Sequence, residues 1–350
     1  MRQFKLNMHT LRVNQLQQAG ALLFNNGKNI IITFLSARAV IMNQLTLGEM
    51  MALQYVLGQL NGPVEQLIQF IQAYQDAQLS MARLSELHEM PDEEAGYTGP
   101  VLLPAGRDLQ LRHVSFQYPG VVHEVLHNVN FTIRRGKVTA IVGMSGSGKT
   151  TLLKLLLKFY DPTAGSILLG DTSLAYVGHS AWRQTCGVVM QDGFIFSDTI
   201  ASNIAFGAEV IDYPRLLDAV RVANLQDLLE DLPLGLQTRI GDEGVGLSQG
   251  QRQRIMIARA VYKNPDFILF DEATSALDAT NESTIVRNLE EFFAQRTVVI
   301  VAHRLSTVRH ADHIVVLERG RVVEEGNHAS LIAQAGKYYE LVKDQLELAQ

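Results

Sequence analysis

The chain has 350 residues, 47% of them hydrophobic, and a mean hydropathy of +0.06, which is apolar material for about two domains with their own cores. Its net charge of −6 is spread over 30 basic and 36 acidic side chains, so no basic field marks nucleic acid as a partner. The single cysteine, Cys186, excludes an intrachain disulfide or a cysteine-built metal site and reads as a buried, unreactive thiol in a reducing compartment.

Met1 opens onto Arg2, Lys5 and Arg12 with no compact apolar region behind them, so no secretory signal is apparent. Only 11 of the first 90 side chains are charged, six basic and five acidic, against 19% for the whole chain. Apolar stretches run from Asn29 to Met42 and from Leu45 to Leu60, but Lys28, Arg38 and Glu49 interrupt them before any reaches about eighteen residues. Two membrane spans joined near 43–48 are expected if those charges face a bundle interior or a water-filled path, and the basic start suits the cytoplasmic side. Hydropathy alone leaves an amphipathic helical hairpin in water as the alternative. Beyond Pro63, the positions Val64, Leu67, Ile68, Ile71 and Tyr74, then Met81, Leu84 and Leu87, recur at helical spacing and predict one long helix. From Met90 to Asp108, Pro91, Gly96, Gly99, Pro100, Pro104 and Gly106 mix with Asp92, Glu93 and Glu94, which suits a linker.

The remainder alternates strands with helices. Strands are expected over 109–118, 131–133, 138–142, 167–169, 188–189, 267–270, 298–301, 314–317 and 322–323, and a long helical region over 214–232. That order implies a mostly parallel sheet covered on both faces. The strand 138–142 runs into Gly143-Met144-Ser145-Gly146-Ser147-Gly148-Lys149-Thr150 and then a helical run. Such a loop turns backbone N–H groups onto a polyphosphate at a helix N-terminus, Lys149 reaches the terminal phosphates, the Thr150 hydroxyl holds Mg²⁺, and Thr151 adds a second hydroxyl. The apolar strand 267–270 ends in Asp271-Glu272, at the sheet edge where ligands bind. Beside a phosphate loop, Asp271 is expected to act through water on the metal and Glu272 to polarise an attacking water. Tyr118 by itself fits a half-buried strand aromatic as well as a ring for base stacking.

Leu247-Ser248-Gln249-Gly250-Gln251, followed by a helical stretch, completes the pattern, and with it the sequence resembles the ATP-binding-cassette family. Asp271-Glu272 is similar to the family's Walker B end, Ser275 to Asp278 to its D-loop, His303 to its switch histidine, Gln191 to its Q-loop glutamine and Tyr118 to its adenine-stacking aromatic. The resemblance implies an α/β P-loop NTPase domain over 109–350, a linker over 91–108, and an all-α transmembrane segment of about two helices over 1–90. It implies an ATPase with Glu272 and His303 as catalytic residues. ATP would lie on Tyr118, Gly143, Ser145, Gly146, Ser147, Gly148, Lys149, Thr150, Thr151 and Gln191, with Mg²⁺ at Thr150, Gln191 and Asp271. A second copy of the chain would complete each site in trans with Ser248, Gln249, Gly250, Gln251 and Asp278.

The stretch Gln44 to Glu49, followed by Pro63, is similar to the last membrane helices of exporter-type cassettes, as are Phe194 to Ile200 and Asn203-Ile204. The chain therefore reads as the C-terminal part of a half-transporter in the bacterial cytoplasmic membrane, exporting a substrate as a homodimer in the lipid bilayer. Gln249, where the family usually has glycine, is similar to peptide and bacteriocin exporters with an N-terminal peptidase domain, which favours a peptide cargo. The rival expectations are a soluble cassette acting as a mechanical clamp, for which no coiled coil or basic face appears, and an ATP-binding regulatory module without transport.

Overall fold

The computed structural model of the chain describes residues 2–88, 93–94, 108–241, 244–273, 279–302 and 308–348. The fold divides into two compact units, Met1–Pro91 and Asp92–Gln350.

The first unit is a hairpin of two long helices, α1 (Arg2–Ile41) and α2 (Leu47–His88). The turn between them is written in the sequence. Asn43 adopts the left-handed conformation (φ +56°) that ends α1, and Thr46 with Glu49 forms a reciprocal cap that starts α2. At 1.5 Å per residue each helix is about 60 Å long, twice the hydrocarbon thickness of a bilayer. Polar pairs tie them together: Lys28 Nζ donates to Asn61 Oδ1 at 2.8 Å and Gln54 Nε2 to Thr33 Oγ1 at 3.1 Å. Among the described residues no helix is long and apolar enough to cross a membrane, because Lys28, Arg38 and Glu49 interrupt the apolar stretches. Large apolar side chains are nevertheless exposed along both helices, Phe24 at 84% and Phe70 at 68% among them.

The second unit opens with β1 (Leu109–Gln117), β2 (Glu124–Ile133), β3 (Val138–Val142) and α3 (Lys149–Leu156), followed by β4 (Ala164–Leu169) and β5 (Thr172–Ser173). Helix α4 (His179–Thr185) leads into β6 (Cys186–Val189), then β7 (Asp198–Thr199), α5 (Ile200–Ile204), α6 (Tyr213–Val222), α7 (Gln226–Glu230) and β8 (Arg239–Ile240). The last third holds α8 (Gln249–Lys263), β9 (Phe267–Asp271), α9 (Ala279–Phe293), β10 (Thr297–Val301), β11 (His313–Glu318) and β12 (Arg321–Gly326), and then α10 (His328–Gln334) and α11 (Lys337–Leu348).

A six-stranded sheet runs β12-β11-β3-β10-β9-β6, parallel except for the antiparallel edge strand β12. Its parallel strands are buried on both faces, so they read as unbroken apolar runs. Ala140, Ile268, Phe270, Val298 and Ile300 join one core with α8 and α9, while Ile141, Leu269, Val299 and Val301 join a second with α3 and a four-stranded antiparallel sheet, β2-β1-β4-β5. That antiparallel sheet is an addition to the expected parallel one. The predicted helix over 214–232 is two helices, because Asn224 (φ +51°) takes the left-handed conformation that closes α6.

The linker composition hides an anchor. Glu93 receives Arg183 Nη1 at 2.6 Å and Nη2 at 3.2 Å, and Glu94 accepts the Ser180 N–H at 2.6 Å, so this acidic pair is held against α4. Cys186 is 1% exposed and burial pushes its thiol up to about 12. An alkylating reagent at pH 8 is therefore expected to leave the native protein unmodified and to add one label in guanidinium, read by intact mass.

Candidate active site

Four of the parallel strands deliver candidate residues to one edge. Strand β3 ends in the phosphate loop, β9 in Asp271-Glu272, β6 in Met190-Gln191, and β10 in Val301-Ala302 just before His303. Val301 pairs with Ile141 on one side and Asp271 on the other, which sets the loop and the acidic pair two strands apart at the same level. Carboxyl ends of parallel strands are where such folds bind ligands.

The loop turns where only glycine fits. At Gly143 (φ +154°) a Cβ would lie 2.1 Å from the Leu317 carbonyl oxygen of β11, so the chain passes beneath that strand without a side chain. Gly146 (φ +77°) is different, since a Cβ there would meet nothing within 4 Å among the described residues. Helix α3 then begins with Gly148 at its N-cap, a residue with no side chain to cap it. Its first N–H groups are left for an anion.

Lys149 is 5% exposed and curls back over the loop, its Nζ donating to the Gly143 and Met144 carbonyl oxygens, each at 2.8 Å. Burial lowers its pKa, and the carboxylates of Glu272 and Asp271 act in the opposite direction. Ser147 is buried, with its Oγ lacking a hydrogen-bond partner among the described residues. Thr150 is half-buried, Ser145 is exposed, and Thr151 is buried with its Oγ1 3.1 Å from Tyr118 Oη. Tyr118 itself is half-buried, edge-on to Phe116 at 4.9 Å and to Tyr160 at 5.2 Å, so the ring is the corner of an aromatic cluster.

Asp271 is fully buried at the end of β9. Glu272 has a left-handed backbone (φ +52°), rare for a residue with a side chain, and both of its peptide groups are held. Its N–H donates to the Val301 carbonyl oxygen at 3.0 Å, and its carbonyl accepts from Gln253 Nε2 at 2.7 Å. Gln191 lies exposed just beyond β6. His303 and Asp278 fall outside the described residues.

Ser248 caps α8 reciprocally with Gln251: the Gln251 N–H donates to Ser248 Oγ at 3.2 Å and the Ser248 N–H to Gln251 Oε1 at 2.8 Å. Gln249 occupies the first helical position, exposed and with an ordinary negative φ, so the backbone there makes no demand for glycine. Gly250 follows it, half-buried. Sequence reasoning missed Gln253, whose signal was a polar side chain at the head of the buried stripe Gln253, Ile257, Val261.

Residues 126–275, which hold the phosphate loop, the capped α8 and the acidic pair, match the family model described as ABC transporter. The chain carries an ABC transporter ATPase domain. Over 323 residues it is 39% identical to the alpha-hemolysin translocation ATP-binding protein HlyB of Proteus vulgaris, covering 92% of this chain and 45% of the relative. Identity and coverage are the same for the leukotoxin translocation ATP-binding protein LktB of Mannheimia haemolytica. The chain thus spans a little under half the length of these ABC relatives. Among solved structures, a bacterial Atm1-family ABC exporter with ATP bound aligns with a TM-score of 0.72 at 35% identity, covering 92% of this chain and 58% of that one.

Proposed function

We propose that this chain hydrolyses ATP to drive export of a substrate, a peptide or protein by analogy with its toxin-translocating relatives, across the bacterial cytoplasmic membrane. The observation that carries this reading is the α3 N-terminus with no capping side chain at Gly148 and its first residue, Lys149, buried and curled back over the loop under the charges of Asp271 and Glu272. Residues 109–350 form the nucleotide-binding domain, 91–108 the linker, and 1–90 part of a transmembrane domain. The polar pairs Lys28–Asn61 and Gln54–Thr33 support a membrane setting for the hairpin, because they satisfy each other between helices while Phe24 and Phe70 face outward.

The site fits MgATP. The Ser147 hydroxyl, without a partner among the described residues, and the side of Gly146 that no described residue covers leave room and a donor for phosphate oxygens. Thr150, Asp271 and Gln191 offer the hard oxygen ligands that Mg²⁺ takes, alongside the substrate's own phosphates. When bound, Mg²⁺ supplies neutralising charge on the phosphate oxygens. Lys149 exchanges its loop carbonyls for terminal phosphate oxygens, and the loop and α3 amides hold the chain of phosphates in line. Glu272 orients and deprotonates the attacking water, His303 contacts the terminal phosphate, and Tyr118 with Thr151 borders the base. Ser248, Gln249, Gly250, Gln251 and Asp278 close over the nucleotide of a second copy, giving a homodimer with two composite sites.

The test is ATP turnover of the purified chain against its concentration in detergent. A composite site predicts a rate rising more steeply than linearly through the dimerisation range, and a matching shift to dimer in sizing with MgATP. A rate strictly proportional to concentration in a protein that stays monomeric would reject the dimeric site.

A further inference from the structure

We propose that Gln253 is a positioning residue for Glu272, holding the base's backbone in its left-handed turn and tying it to helix α8. The inference rests on the reading of Glu272 as general base.

In an extended strand, neighbouring side chains point to opposite faces of the sheet, so an unbroken β9 would send Asp271 and Glu272 apart. The left-handed backbone at Glu272 (φ +52°) suspends that alternation at this one residue. The torsions of Glu272 therefore aim its carboxylate. A residue with a side chain adopts that conformation only where its surroundings impose it.

Two hydrogen bonds impose it here. The Glu272 N–H is fixed on the β10 carbonyl of Val301 at 3.0 Å, which ties the peptide before it to the sheet. The peptide after it is fixed by Gln253, whose amide nitrogen donates to the Glu272 carbonyl at 2.7 Å. Gln253 is 6% exposed, and a buried side-chain amide is kept only where it has a polar partner to meet. It stands at the head of the stripe of α8 that enters the core, about one and a half turns from Ser248, the N-cap residue. Because α8 is a rigid element, a displacement of its N-terminal end moves Gln253 with it. The Ser248 end of α8 and the base of the same chain are thus linked through one helix and one hydrogen bond.

The test uses the full chain with Gln253→Met, which keeps length and volume but removes the donor, and Gln253→Ala, which removes the donor without strain in a helix. Either variant is expected to lower kcat about 10- to 100-fold while the MgATP dissociation constant stays within about twofold, since the phosphate loop is untouched. In a Glu272→Gln background, Gln253→Met is expected to add no further loss, because both changes remove the same function. Wild-type kcat in the Gln253 variants, an equal loss in the Glu272→Gln background, or a loss of MgATP affinity in step with kcat would overturn the inference. If Glu272→Gln itself turned over at the wild-type rate, the base assignment would fall first, and that outcome is read independently. Should Gln253→Met not fold, Gln253→Ala carries the same comparison, with thermal unfolding as the check on each.

Discussion

Glu272→Gln is expected to bind MgATP as wild type does and to hydrolyse it roughly 100- to 10,000-fold more slowly, the range lost when a positioned general base is removed. The substitution is isosteric, and the contacts that hold Glu272 run through its backbone N–H and carbonyl, so the turn at the end of β9 survives. What is lost is the carboxylate's negative charge and its basicity. The charge loss also removes repulsion against the incoming phosphates, so affinity holds or rises. With hydrolysis blocked and binding intact, a nucleotide-bound dimer accumulates, visible by sizing with MgATP and absent without it. Single-turnover measurements separate the slowed chemistry from product release. Wild-type turnover in this variant would remove Glu272 from the mechanism.

How far the sequence revealed this molecule depended on whether a feature is local. The strands β3, β9 and β10 were legible because burial on both faces makes them unbroken apolar runs, and the hairpin turn because Asn43 and the Thr46–Glu49 cap act within a few residues. The phosphate loop was legible for the same reason, its glycines serving one tight turn. Residues 124–130 of β2 were not, since Glu124, His127, Asn128 and Asn130 interrupt its apolar positions on a strand at the edge of its sheet. Nor were Glu93 with Arg183, 90 residues apart, or Gln253 with Glu272, 19 apart, because each is a hydrogen bond made only after the chain has folded. The strained turn at Glu272 was invisible as well. Nothing in the letters Asp-Glu announces a positive φ.

Lys149→Met is expected to weaken MgATP binding at least about 100-fold while leaving the fold within a few degrees of the wild-type unfolding temperature. Methionine is unbranched like lysine, one atom short of its ammonium, and fills most of the same buried space. It removes two hydrogen bonds, to the Gly143 and Met144 carbonyl oxygens, but also the desolvation cost of a buried ammonium, and the two changes oppose each other in stability. Binding has no such compensation, because the phosphates lose the one cation the loop provides. Thermal unfolding with and without MgATP separates the two effects. Nucleotide at a hundred times its dissociation constant stabilises the wild type by about 2.7 kcal/mol, and the variant gains almost nothing at the same concentration. A pH series tests the same charge. Burial lowers the Lys149 pKa in the unliganded loop, so wild-type affinity falls as pH rises through that lowered value, whereas Lys149→Met has no ammonium to lose and shows no such fall. If the variant kept the nucleotide-dependent stabilisation, the loop and α3 amides alone would be holding the phosphates, and Lys149 would serve only to brace its own loop.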